Sequence, residues 1–283
     1  DHAAAEANGI VIVNRIKPHT AFRGPWESGL MKMLAIGIAK QSGAEFCHAK
    51  GFKNMAEMVP LFGKAIIQNA NILFGVALLE NAYEHTADIV ALTSEEITTK
   101  EPELLERAKK MMPRILIDTA DVLVVDEIGK NISGDGMDPN ISGTFATPYA
   151  QGGISAQRVA VLDITEESHG NGVGWGMADC STKRALHKFD REMSYPNALT
   201  CLVTQVVKFP MVFETDKQCI QAAIKTCADV NFKNIRVVRI KNTLSMDEIQ
   251  VSESLRGQVL ATEGMEIVKE AENLPFNASE NLF

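Results

Sequence analysis

Short β-branched runs separated by helical stretches are the feature that most limits what this chain can become. "GIVIVN" (9–14), "NILFGVALLE" (71–80), the start of 88–97, "DVLVVDEIG" (121–129), 157–164 and "NIRVVRIKN" (234–242) each read as a strand. Helical patterns are expected between and after them, over 29–40, 53–70, 94–112, 180–193, 216–230 and 252–260. "QSGAEFCHAKGF" (41–52) reads as the break that ends the first helix, and Pro60 must kink or split the second. Strands that alternate with helices bury both faces of a sheet, which makes substantially parallel sheets the economical solution. The expected fold class is therefore α/β: two α/β lobes with largely parallel or mixed sheets and a cleft between them. "MMPRIL" precedes a boundary near 115–120, dividing 1–118 from 119–283. The last ~30 residues are expected to pack back on the first lobe.

One residue in the first helix does not fit a packing role. From Leu30 to Ala39 every position is apolar or Gly except Lys32. Burial disfavours a charged ammonium, and a neutral amine is a nucleophile. The competing reading is a lysine whose stem lies on the core while its head reaches water. Ser28 stands at the N-cap position, and the helix is entered from the strand over 9–14. Strand-to-helix turns of this kind bind ligands, and helix N-termini attract phosphates. Arg15, Lys17 and Arg23 lie in the same turn and complete a candidate anion site with Ser28 and Gly29.

Charge supports an anionic ligand in this segment. The chain as a whole carries −8, which argues against nucleic acid as a partner. Residues 1–64 nevertheless carry eight Lys/Arg against five Asp/Glu, so the remaining 219 residues hold −11. The five cysteines are scattered, with no C-x-x-C, as expected of a chain kept in a reducing cytoplasm. No apolar run approaches the ~18 residues of a membrane helix. The opening "DHAAAEANG" reads like the end of a helix interrupted midway, as if the chain began inside a longer protein.

Histidines flank the first helix, His19 before it and His48 after it. Each is a candidate metal ligand or proton shuttle, although their spacing matches no compact zinc motif. "DEIGKNISGDGMDPN" (126–140) is a long turn-rich loop, in which Lys130, Asn131, Asp135, Asp138 and Asn140 are candidate substrate contacts. "HGNGVGWG" (169–176) follows a strand, but the third glycine of a G-x-G-x-x-G fingerprint falls on Trp175.

The stretch "VNRIKPHTAFRGPWESGLMKMLAIGIAKQSGAEFCH" resembles the nickel-pincer lactate racemase family. In that family a His precedes an "SGG-x-K"-type turn, the Lys follows, and a second His comes later. The resemblance implies that Lys32 holds the cofactor covalently, a nickel complex of a thiolated nicotinic acid mononucleotide derivative. It implies that His48 ligates nickel and that His19 moves a proton; Lys130, from the turn-rich loop, is a further catalytic candidate that the resemblance does not supply. Arg15, Lys17, Ser28 and Gly29 would contact the cofactor, and 1–118 would be the remainder of a cofactor-binding lobe. "SGLMK" departs from the family turn, and His19 sits further from the lysine than in lactate racemase itself. The implied activity is an isomerase: a racemase or epimerase of a 2-hydroxy acid or sugar acid. Implied partners are that small molecule and, transiently, the enzymes that make the cofactor; a homo-oligomer is compatible, whereas nucleic acid and membrane are not expected. Two other readings stay open: a nucleotide-dependent oxidoreductase using the 169–176 loop, and a non-catalytic ligand-binding α/β protein.

Overall fold

A computed structural model describes residues 1–283, which form an α/β fold with one three-stranded and one six-stranded sheet. The chain divides into two compact units. The first comprises 1–113 with 147–150 and 199–203, and the second comprises 114–146, 151–198 and 204–283. No helix is long and apolar enough to cross a membrane.

The first unit opens with α1 (His2–Glu6), β1 (Ile10–Arg15) and α2 (Leu30–Lys32). A π-helical stretch, Met33–Ile38, continues α2, and α3 (Lys40–His48) follows. The expected break after Lys40 is a single residue: Lys40 takes a left-handed φ of 58°, and the helix then resumes through residues expected to be loop. Next come α4 (Met55–Asn69), which carries Pro60 internally, β2 (Ile72–Glu80), β3 (Thr86–Leu92) and α5 (Ser94–Met111). A capping box starts α5: Thr93 accepts from the Glu96 amide, and Glu96 accepts from the Thr93 amide. β1 and β2 are parallel neighbours, because the helices between them carry the chain back to the same sheet end. β2 and β3 pair antiparallel. The core of this unit runs from Ile12, Ile16, Ala77 and Leu79 on the sheet to Leu30, Met31, Leu34, Met55, Val59, Ile97 and Leu105 on the helices.

The second unit contains β4 (Thr119–Ile128), α6 (Pro139–Ser142), β5 (Ser155–Ile164), β6 (Cys180–Thr182), α7 (Lys183–Lys188), α8 (Arg191–Cys201, whose end belongs to the first unit), β7 (Met211–Phe213), α9 (Asp216–Lys225), β8 (Val237–Ile240), β9 (Gln250–Val251) and α10 (Arg256–Ala261). The sheet order is β7-β6-β5-β4-β8-β9, parallel throughout except for the β8–β9 pair. Strand order reverses between β4 and β8, where Arg239 forms a pair of hydrogen bonds to Asp126 at 2.7 and 2.8 Å. Cys180–Thr182, expected as helix, is a short buried strand, and Thr182 then caps α7 by accepting from the Ala185 amide at 3.2 Å. The final residues, expected against the first lobe, lie in the second unit: the Leu282 amide donates to Asp216 at 2.8 Å, and the Asp216 amide donates to Asn281 Oδ1 at 3.0 Å.

Candidate active site

Lys17 and Ser28 close the loop between β1 and α2. Each amide donates to the other's carbonyl, at 2.9 and 3.1 Å, and pins the two ends of 18–27 together. Inside this loop the buried Glu27 carboxylate accepts from the His19 amide at 2.8 Å and from the Gly24 amide at 3.4 Å. Arg23 and Lys109 compensate its charge at 3.5 and 3.0 Å. Arg23 also donates to the His19 carbonyl at 2.6 Å, and the Thr147 hydroxyl donates to the Ala21 carbonyl. The loop is thus fixed on both sides of His19.

This framework brings three residues singled out in the sequence to one place. Lys32 Nζ lies 2.9 Å from His19 Nε2. The His19 ring packs against Phe22, with centroids 4.5 Å apart, and against Phe52 at 6.1 Å. His48, from the end of α3, meets the same Phe52 ring edge-on at 5.3 Å. The two phenyl rings keep water from the imidazoles, and burial is the main reason that both titrate below the usual imidazole range. For His19 the neighbouring basic side chains Lys32, His48, Arg23 and Lys17 act in the same direction.

Hydrogen bonds set the tautomer of each ring. His48 Nδ1 lies 2.7 Å from the Ala44 carbonyl, which can only accept. Nδ1 therefore carries the proton, and Nε2 presents its lone pair, the arrangement in which imidazole ligates a metal. His19 is the reverse: the Ala21 amide donates to Nδ1 at 3.0 Å, so a neutral ring carries its proton on Nε2.

The anion site expected at the start of α2 is built differently. Glu101, 1% exposed, reaches this helix end from α5 and accepts from the Met31 amide at 2.9 Å. Burial pushes its carboxyl up to about 7, against the hydrogen bonds from Met31 and Leu30. Gly29 makes room for it, since a Cβ there would fall 2.2 Å from Glu101 Oε1. A protein carboxyl group thus sits where a phosphate was expected, and phosphate and carboxylate would repel. Ser28 does not cap the helix; Gly29 occupies the N-cap position without a side-chain bond. Arg15 turns to the far end of β2, pairing with Glu80 at 3.1 Å and Glu84 at 4.0 Å. Of the expected anion contacts, Lys17 and Arg23 are the two whose charge acts on His19.

The remaining candidates belong to the second unit, where they hold its loops. Lys130 Nζ donates to the Gly134 carbonyl at 2.5 Å. Asn131 Oδ1 accepts from the Thr165 hydroxyl at 2.6 Å and from Ser168 at 3.2 Å. Asp138 caps α6 through the Asn140 amide and also accepts from the Asn140 side chain, both at 2.9 Å. The Asp135 backbone packs on the 169–176 loop: a Cβ at Gly174, whose φ is 94°, would lie 1.6 Å from the Asp135 carbonyl oxygen. Trp175 is buried and donates to Ser181 at 2.7 Å. These glycines serve backbone-to-backbone packing, and the loop leads into short turns rather than into a helix that could face a dinucleotide.

No group of three or more His, Cys, Asp or Glu side chains is arranged to hold a metal. At this site the His48 Nε2 lone pair is a nitrogen donor that a metal could use. No protein-family model, curated protein or solved structure matches the chain.

Glu27, Glu101, Phe22 and Phe52 were not singled out as site residues in the sequence. Glu101 did leave a signal. With Ile97, Leu104, Leu105 and Ala108 it lies on the buried stripe of α5, an acidic residue at core spacing. Glu27 left none, because its partners meet only when the loop closes.

Proposed function

We propose that this chain is a racemase or epimerase of a 2-hydroxy acid or sugar acid, built around a nickel-pincer nucleotide held on Lys32. The observation that supports this most is the convergence of Lys32, His19 and His48 around Phe22 and Phe52, with the His48 Nε2 lone pair available. Covalent anchor, metal ligand and proton carrier are three of the roles the reaction needs from protein side chains, a second acid/base histidine being a fourth. When bound, the cofactor would supply the acceptor that takes hydride from the hydroxyl-bearing carbon and returns it to either face.

The chain's own residues do the rest. Lys32 offers the amine for attachment, and Ala44 orients His48 so that Nε2 can ligate nickel. Attachment of Lys32 to the cofactor takes up the amine that faces His19 Nε2 in the free chain, and leaves the Nε2–H to donate a hydrogen bond to the substrate oxygen. Taking that oxygen's proton requires the Ala21 amide to release Nδ1, so that the tautomer can change. Phe22 and Phe52 shield this transfer from water. The helix start does not supply phosphate contacts, because Glu101 occupies it; Lys17 and Arg23 are the basic groups near the site.

The test is to co-express the full chain with the enzymes that make the cofactor, then record intact mass, bound nickel and racemisation of 2-hydroxy acids. A cofactor-sized mass increase is expected, lost in Lys32→Ala and retained without nickel in His48→Ala. Unmodified, nickel-free chain beside a family member that loads normally would sink this reading.

A further inference from the structure

Two hydrogen bonds at His19 together decide which groups carry protons. The Ala21 amide can only donate, and it meets Nδ1 at 3.0 Å. Nδ1 is then the unprotonated nitrogen of a neutral ring, and the ring proton is on Nε2. Nε2 in turn lies 2.9 Å from Lys32 Nζ. An ammonium has three N–H groups and no lone pair, so it would meet Nε2–H proton against proton. An unprotonated amine has the lone pair to accept that bond. We propose that His19 holds Lys32 as an unprotonated amine at neutral pH, making it the chain's most reactive lysine toward acyl electrophiles before any cofactor is present.

The surroundings act in the same direction. Arg23 and Lys17 from the loop are positive groups whose charge acts on His19. Glu27, the nearby carboxylate, is already engaged by Arg23, Lys109 and the His19 amide. Phe22 and Phe52 partly close the site, and a less hydrated Nζ favours the neutral amine. Burial and these neighbours also keep the His19 ring neutral, as the tautomer argument needs.

The chemistry is simple acyl transfer. The Nζ lone pair attacks an acyl carbon, a C–N bond forms, the leaving group departs with its electron pair, and the proton lost by nitrogen passes to water. The inference rests on the proposed function only for the use to which this reactivity is put.

The experiment needs no cofactor. The full chain is treated with limiting N-hydroxysuccinimidyl acetate from about pH 6 to about pH 10, and acetylation of each lysine is followed by peptide mass spectrometry. A lysine with the ordinary pKa of ~10.4 is neutral in roughly one molecule in 2,500 at pH 7, and its rate climbs about tenfold per pH unit. Exposed Lys53 and Lys110 serve as the comparison lysines. Lys32 is expected to react at least about tenfold faster than either at pH 7 and to reach a plateau near neutrality. His19→Phe keeps a ring in place but offers no N–H, and it should abolish the plateau. The wild-type profile alone is decisive: a Lys32 rate that climbs in parallel with Lys53, or no acetylation of Lys32 at any pH, overturns the inference. Failure of cofactor loading would leave this profile unchanged, so the two readings fail separately.

Discussion

Glu101 shows how one side chain can tie a helix to pH. Unfolded, its carboxyl ionises near 4.5; folded, near about 7. Between those values the folded chain keeps a proton that the unfolded chain has released, so this group lowers stability as pH rises through the window. The loss levels off above about 7 and amounts to about 3 kcal/mol. Glu101→Gln keeps an acceptor for the Met31 amide and cannot ionise. Urea unfolding from about pH 5 to 8 should show the variant gaining on wild type with rising pH. Parallel curves would mean that Glu101 does not titrate in this range. His19 and His48 act in the opposite sense, because both are held below the imidazole range and their contribution is lost as pH falls. Comparing the Glu101 variant with wild type at each pH removes that background.

At the scale of elements, the second unit depends on loops that meet at backbone distance. Gly136 and Gly174, both at positive φ, let the 129–137 and 169–176 segments interlock. Gly174→Ala would drive a methyl group into the Asp135 carbonyl from a backbone conformation that alanine resists. A loss of about 3 kcal/mol or more is expected in urea unfolding followed by Trp175 fluorescence. A loss below about 1 kcal/mol would show that the interlock is looser than the geometry requires. In the first unit the equivalent dependence falls on the π-helical turn after Lys32, an irregularity of the kind that often accompanies functional residues.

For the whole molecule, the two units have separate cores, and each holds one of the chain's two tryptophans, Trp26 and Trp175. Variants Trp26→Phe and Trp175→Phe therefore report one unit each. We expect their urea midpoints to differ, with the Trp26 signal moving with pH as Glu101 dictates. Coincident transitions in both variants at every pH would show a single cooperative unit instead.

Element types were legible in the sequence wherever local chemistry decides them. The β-branched runs became strands, Thr93 and Glu96 formed the start of α5, and the alternation produced an α/β fold. Lys32 was legible too, because a charged residue in an otherwise apolar helix is a local anomaly. The tertiary structure decided everything that depends on partners distant in the chain. Glu101 reaches Met31 across 70 residues and takes the helix end that local rules offered to a phosphate. Arg15 finds Glu80 across 65 residues and leaves the site. The sequence by itself determined which residues could do chemistry, since that follows from side-chain type and local periodicity. Only the fold decided which of them meet and in which protonation state, because a hydrogen bond's donor and acceptor are fixed by geometry that no local pattern encodes.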